Sequence, residues 1–256
     1  MEGKRGLVMG VANDHSIAWG IAQTLAAHGA GLALTYQDDN LEKRVRPLAE
    51  SVDAELILPC DVADQDSIDA LFGSLAASWG TLDFVVHAIA FSDRAELNGR
   101  FLDTTRGNFA RTMEISCFSF TAVTRAAAAL MPAGGSVLTL TYAGSRRVMP
   151  NYNVMGVAKA ALEASARYLA ADLGAQGIRV NALSAGPMRT LAGAAISGSR
   201  FVYKWQAENA PLRRAVTLDE IAGAALYLLS DLGRGTTGEI LHVDAGYNVV
   251  GMVADS

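Results

Sequence analysis

Seven short runs of β-prone apolar residues alternate with longer amphipathic stretches from one end of the chain to the other, and that alternation limits the possible folds severely. The runs cover residues 6–9, 32–36, 55–58, 82–87, 136–141, 179–183 and 239–243. Alanine-rich stretches with helical patterning fill the intervals at about 17–28, 41–51, 65–78, 105–130, 154–174 and 218–230. A strand that is apolar on both faces needs cover on both faces, and strands separated by helices are joined by crossovers that leave them parallel. The expectation is an α/β fold: one doubly wound, seven-stranded parallel sheet with helices on both faces, occupying residues 1–256 as a single domain. Ligands of such sheets bind beyond the carboxyl ends of the strands, near the point where strand order reverses. The residues just after each strand are therefore the ones to inspect.

Composition narrows the function classes. Hydrophobic residues make up 51% of the chain but aromatic ones only 7%, so the core has to be built from closely packed Ala, Val, Leu and Ile. A net charge of −5 removes the broad attraction that nucleic acid or an anionic membrane surface requires. Cys60 and Cys117 are the only cysteines, and no Cys/His cluster with metal spacing occurs, so no metal is expected and both thiols read as buried and reduced. The apolar run at 6–12 is broken by Asn13-Asp14-His15, too soon for a signal peptide, and no run of about eighteen apolar residues occurs. The expected location is cytoplasmic.

The first strand runs into Gly10-Val11-Ala12-Asn13-Asp14-His15-Ser16, with a helix starting near Ser16. Backbone N–H groups and the helix dipole there can face a pyrophosphate. Only Gly10 and Gly20 are left of a dinucleotide-type glycine pattern, so a plain turn capped by Ser16 is the competing reading of this segment alone. Three further strand ends, Tyr36-Gln37-Asp38, Cys60-Asp61-Val62 and His87-Ala88-Ile89-Ala90, tip the balance toward a Rossmann-like dinucleotide site. An acid after the second strand suits a ribose 2′-hydroxyl, and Arg or Lys there suits a 2′-phosphate. Gln37 is neutral and no basic residue follows before Lys43 and Arg44, which favours NADH over NADPH. Asp61 is suited to accept from an adenine amino group, or else to serve as a helix cap or turn residue. Ala88 and Ala90 are small enough to let backbone approach a cofactor. His87, at the tip of an apolar strand, reads as a hydrogen-bonded structural imidazole.

After the fifth strand, which ends at Tyr142, the next helix carries Tyr152 and Lys159. Seven residues is nearly two helical turns, so both side chains share one face, about 10 Å apart along the axis. A Tyr donates a proton to a developing oxyanion, and a Lys holds a cofactor ribose while favouring ionisation of a nearby phenol. Reduction of a simple ketone puts hydride on the carbonyl carbon, so the donor belongs beside the nicotinamide, and a Tyr four residues before the Lys would serve. Reduction of a conjugated enoyl thioester puts hydride on the β-carbon and charge on a more distant oxygen, so the donor sits farther off. Here the position four before Lys159 is Met155, which donates no proton, and Tyr152 lies a helical turn beyond. The spacing disfavours a ketoreductase, which stays the runner-up; a regulator that binds NAD(H) without catalysis is the reading from another class.

At this point the chain resembles the enoyl-[acyl-carrier-protein] reductases (NADH) of the short-chain dehydrogenase/reductase superfamily over nearly its whole length. The markers are Gly10 with Ser16-Ile17-Ala18, Thr35-Tyr36-Gln37, Cys60-Asp61-Val62, Tyr142, Pro150-Asn151-Tyr152-Asn153-Val154-Met155-Gly156 through Lys159, Arg179-Val180-Asn181-Ala182, and Ser184-Ala185-Gly186-Pro187-Met188-Arg189-Thr190. The central helix reads Glu114-Ile115-Ser116, without the Asn of the wider superfamily, and Tyr142 stands where a catalytic Ser is usual. The resemblance implies that Tyr152 stabilises or protonates an enolate, Lys159 binds the nicotinamide ribose and Tyr142 lines the thioester site. It implies cofactor contacts at Gly10, Ser16, Ile17, Gln37, Asp61, Val62, Ala88, Ile89, Met188 and Thr190, and a substrate side formed by Ala90, Tyr142, Tyr152 and Met155. The partner implied is an acyl carrier protein bearing an enoyl chain, which Arg200 and Lys204 are placed to meet. A homotetramer is implied too, with 105–130 and 154–174 at an interface. Residues 190–210, rich in small side chains from Ala192 to Ala195, read as a substrate-covering segment, with ordinary helix packing as the alternative.

Overall fold

The structure, a computed structural model, describes residues 1–194 and 196–252. Its seven strands are β1 Arg5–Met9, β2 Gly31–Tyr36, β3 Leu56–Pro59, β4 Phe84–His87, β5 Gly135–Thr141, β6 Ile178–Ala185 and β7 Ile240–Val243. They form one sheet in the order β3-β2-β1-β4-β5-β6-β7, and every adjacent pair is parallel. The two-residue side-chain period of the strands sorts their residues onto two cores. Leu7, Met9, Val85, Val137 and Val180 face one side and pack on helices α3 Gln65–Trp79, α5 Ser119–Ala128 and α6 Asn153–Leu173. Val8, Phe84, Val86, Leu138 and Leu183 face the other and pack on α1 Ile17–Ala27, α2 Asp39–Ser51 and α9 Leu218–Leu229. Order reverses between β1 and β4, where their carboxyl ends open a crevice.

Local chemistry sets the helix starts. Asp38 accepts from the N–H groups of Asn40 and Leu41 to start α2, Asp64 caps α3, and Thr217 with Glu220 forms a reciprocal capping box at α9. Among the described residues no helix is long and apolar enough to cross a membrane.

Two departures from the expected pattern matter for the site. The stretch expected as one helix at 105–130 is instead α4 Arg106–Met113, a π-helical turn at Glu114–Phe118, and α5. Inside the widened turn the Ser116 hydroxyl accepts from the Phe91 N–H and donates to the Phe91 C=O, both at 2.9 Å, which ties the chain after β4 to this helix. The segment 190–210 contains two helices, α7 Leu191–Ala194 and α8 Ser199–Asn209, and so is more regular than its small-residue composition suggested. Ala195 lies outside the described residues.

Candidate active site

A cleft of about 860 Å³ opens beyond the carboxyl ends of the strands. Its lining includes Gln37 and Asp61 after β2 and β3, and Tyr152 and Lys159 at α6, so it spans the sheet's switch point. The cleft brings together the expected catalytic, cofactor and substrate residues Gly10, Ser16, Ile17, Gln37, Asp61, Val62, Ala88, Ile89, Ala90, Tyr142, Tyr152, Met155, Lys159, Met188 and Thr190, whereas Arg200 and Lys204 are not in its lining.

The end of β1 is shaped for a close approach. Gly10 has φ +97°, and a Cβ there would lie 2.1 Å from the Ala88 carbonyl oxygen, so both the conformation and the space require glycine. Ser16 stands at the N-cap of α1, but its side chain makes no cap bond, so the competing reading of a plain capped turn does not hold. Its hydroxyl instead accepts from the N–H groups of Ala12 and Asn13, at 3.0 and 3.1 Å, and so preforms the turn. Those two amides are thereby used, while the first turn of α1, at Ile17 and Ala18, has no side-chain cap and lines the cleft. An uncapped helix start facing a cleft suits an anionic phosphate group. Asp61 fulfils its turn role, accepting from the Ala63 N–H at 3.0 Å, while still lining the cleft. This end fits a dinucleotide: a preformed turn, an open helix start, and a cleft long enough to reach from Gln37 to Lys159.

At the other end Tyr152 is the residue before α6 and not part of its first turn. Tyr152 and Lys159 are 7% and 6% exposed. The rings of Tyr142 and Tyr152 meet edge to face with centroids 5.2 Å apart. A Cβ on Gly144 would lie 2.3 Å from the Tyr152 ring, and one on Gly156 would lie 2.7 Å from the Gly144 carbonyl oxygen, so the turn after β5 presses directly on the start of α6. Around the tyrosines Leu97, Met155 and Ala158 make a small apolar cluster separate from the two main cores, joined by Met113, Met149 and Ile196.

Burial raises the pKa of both phenols above the ordinary range, and each is further raised by a neighbouring tyrosine, so both are neutral donors. Burial lowers Lys159 to about 8, against the opposing pull of Cys117 and Glu163, and its Nζ donates to the Leu140 C=O at 2.8 Å. His87 is fully buried, 2.9 Å from the Ser119 hydroxyl and 3.3 Å from that of Thr139, and burial drives its pKa down to about 3. It is a neutral structural imidazole, as read. Cys60 and Cys117 are buried and unpaired.

Some cleft residues lie outside the expected site, and others belong to the segment 190–210 without having been singled out in it. Phe91, Leu97 and Ile115 line it from the segment after β4 and from the π-helical turn, and Ile196, Ser199, Val202 and Tyr203 line it from the segment holding α7 and α8. The Tyr203 hydroxyl donates to the Met188 C=O. The signal for most of the second group was its helical spacing at 199, 202 and 203 on α8.

A family model described as Enoyl-(Acyl carrier protein) reductase matches residues 10–248. The chain belongs to that family. Among its relatives, enoyl-[acyl-carrier-protein] reductase [NADH] 2 of Rhizobium meliloti is 66% identical over 252 residues, 98% of this chain and 94% of the relative. A crystal structure of the reductase from Anaplasma phagocytophilum in complex with NAD superimposes with a TM-score of 0.97 at 60% identity, covering 100% of this chain and 97% of the other. The Bacillus cereus reductase, solved with NADP+ and an indole naphthyridinone, superimposes at 0.96 with 50% identity and 98% coverage of each chain. The parallel seven-stranded fold of this family member is the one expected from its alternating pattern.

Proposed function

We propose that this protein reduces trans-2-enoyl thioesters carried on acyl carrier protein to saturated acyl thioesters with NADH, the last reductive step of a fatty-acid elongation cycle. The observation that carries this reading is the pair of phenols, the buried Tyr152 and the part-buried Tyr142, in edge contact on the cleft wall, with Met155 at the position where a ketone reductase needs its donor. NADH supplies the hydride that the β-carbon of the substrate receives. Lys159 holds the nicotinamide ribose. The neutral Tyr152 hydroxyl donates to the thioester oxygen as negative charge collects there, and the α-carbon is protonated afterwards, directly or through water. Tyr142 lines the thioester side. The apolar cluster around Met155 and Leu97 excludes water from the enolate. At the cofactor end, Gly10, Ser16, Ile17, Gln37, Asp61, Val62, Ala88, Ile89, Met188 and Thr190 hold the dinucleotide.

The single domain carries its own cover: residues 190–210 close over the acyl chain, a reading supported by the cleft-lining face at Ile196, Ser199 and Val202. The acyl carrier protein docks beside this cover. Arg200 and Lys204 stand exposed on α8, although Lys204 also pairs with Glu208 at 3.7 Å. The protein works in the cytoplasm as a homotetramer, whose interface is formed by the α4–α5 and α6 helices. Elution at monomer mass in size-exclusion chromatography removes the tetramer. The test of function is loss of absorbance at 340 nm with a trans-2-enoyl thioester, comparing NADH with NADPH. Turnover with NADH supports the proposal, and turnover with NADPH alone corrects the cofactor. Turnover of 3-oxoacyl thioesters only would make it a ketoreductase.

A further inference from the structure

We propose that Glu163 is a positioning residue for this reaction, clasping the turn that carries Tyr142 from the helical turn beyond Lys159. This inference rests on the function proposed above. Lys159 and Glu163 are four residues apart on α6 and leave the same face of the helix, toward the end of β5. Lys159 Nζ holds the Leu140 carbonyl. Glu163 Oε1 accepts from the Thr141 hydroxyl at 2.8 Å and from the Ser145 hydroxyl. One carboxylate oxygen therefore binds the residue before Tyr142 and the residue three after it. The Ser145 N–H completes the turn by donating to the Tyr142 C=O at 2.9 Å.

Tyr142 needs such an external hold. The β5 ladder ends at Thr141, so Tyr142 is the first residue outside the sheet, in an extended conformation with no neighbouring strand to bind it. Glu163 is 4% exposed, and a carboxylate taken out of water is costly unless its oxygens are bonded. An apolar side chain would fill the same space at lower cost. What the carboxylate adds is a fixed geometry for the turn, and hence for the contact between Tyr142 and Tyr152. The residue touches neither reacting group; it acts through Thr141 and Ser145.

The experiment compares Glu163→Ala, Glu163→Gln and the double variant Thr141→Val/Ser145→Ala with the parent enzyme. Assays with NADH and an enoyl thioester are run on the acid side of the Lys159 titration, which lies at about 8. Loosening the turn by about an ångström is expected to lower kcat about 10- to 100-fold in Glu163→Ala and in the double variant, with NADH affinity kept within about twofold. Glu163→Gln keeps an oxygen able to accept both bonds and is expected to restore kcat to within about threefold. The double variant leaves Glu163 in place, so it decides the matter even where Glu163→Ala fails to fold. Retention of kcat by the double variant overturns the clasp, and so does an equal loss in Glu163→Gln and Glu163→Ala. A parent enzyme that turns over no enoyl thioester overturns the proposed function and this inference with it.

Discussion

Replacing Gly144 by Ala tests whether the position of the Tyr152 ring sets the rate. The added methyl would lie 2.3 Å from Tyr152 Cδ1 and 2.6 Å from Cε1, short of ordinary carbon–carbon contact by about 1 Å. Neither side can yield cheaply: the ring is 7% exposed, and Gly144 is backed by the close approach of Gly156. Overpacking of this kind costs about 1–3 kcal/mol, which lowers the melting temperature by about 2–4 °C per kcal/mol in a chain of this size. Displacing a proton donor by about 1 Å costs about 100-fold in rate, or roughly 2.7 kcal/mol of transition-state stabilisation. Because the methyl points at the ring and not at the β1 turn, NADH affinity should stay within about twofold. Steady-state kinetics at 340 nm, NADH fluorescence titration and a thermal scan together read all three quantities. A variant that binds NADH normally and keeps kcat within about threefold of the parent would refute the reasoning. Gly73→Ala is the control, since a Cβ there meets nothing within 4 Å and the change should stabilise α3 by up to about 1 kcal/mol.

Other outcomes follow from the same geometry. Lys159 is held below its usual range by burial, at about 8, so its charge is present below that pH and lost above it. NADH affinity should therefore fall as pH rises through 8, whereas this residue's contribution to stability runs the other way. Between about 8 and about 10.4 the unfolded chain binds the extra proton, so folding stability rises with pH there; an affinity that stays flat from neutral to alkaline pH would contradict the assignment. Gln37→Arg supplies a cation at the end of β2 and should shift the NADPH to NADH preference by about tenfold or more; an unchanged ratio of kcat/KM values would show that Gln37 does not read the ribose. Tyr152→Phe should bind NADH normally and lose most of kcat, and full turnover would remove Tyr152 from its proposed role.

The sheet was legible because its strands are apolar on both faces and are punctuated by helices, and that pattern has few physical solutions. Strand ends moved by a residue or two: β6 runs on to Ala185 and β4 starts only at Phe84. The cleft residues were legible for a related reason, since a parallel sheet puts its strand ends on one side. What stayed hidden was set by side chains meeting across the fold. Nothing local in Ser16 says that its hydroxyl turns back to Ala12 and Asn13 instead of capping α1. The widened turn at Glu114–Phe118 has no simple hydrophobic period, and its tie to Phe91 joins residues 25 apart. Within residues 190–210, which fit either a substrate-covering segment or ordinary helix packing, the small side chains give no sign of where the helix at Ser199–Asn209 begins.

The π-helical turn marks a place where this chain can lose a residue without losing register. A π turn closes on the fifth residue where an α turn closes on the fourth, so Glu114–Phe118 takes in one residue more than a regular helix needs. The two ends of the rod, α4 and α5, are thereby offset by about 100° from the phase that an unbroken helix would give them. Removing a single residue from this turn would let the rod close into one regular helix. Because the residue removed is the one the wider turn absorbs, α4 and α5 would keep their present phase and Phe120 its place in the core, and the loss would fall on the turn's own contacts, the Ser116 tie to Phe91 first among them. A one-residue deletion here should therefore disturb the fold less than one within α5, where no wider turn absorbs the change of phase.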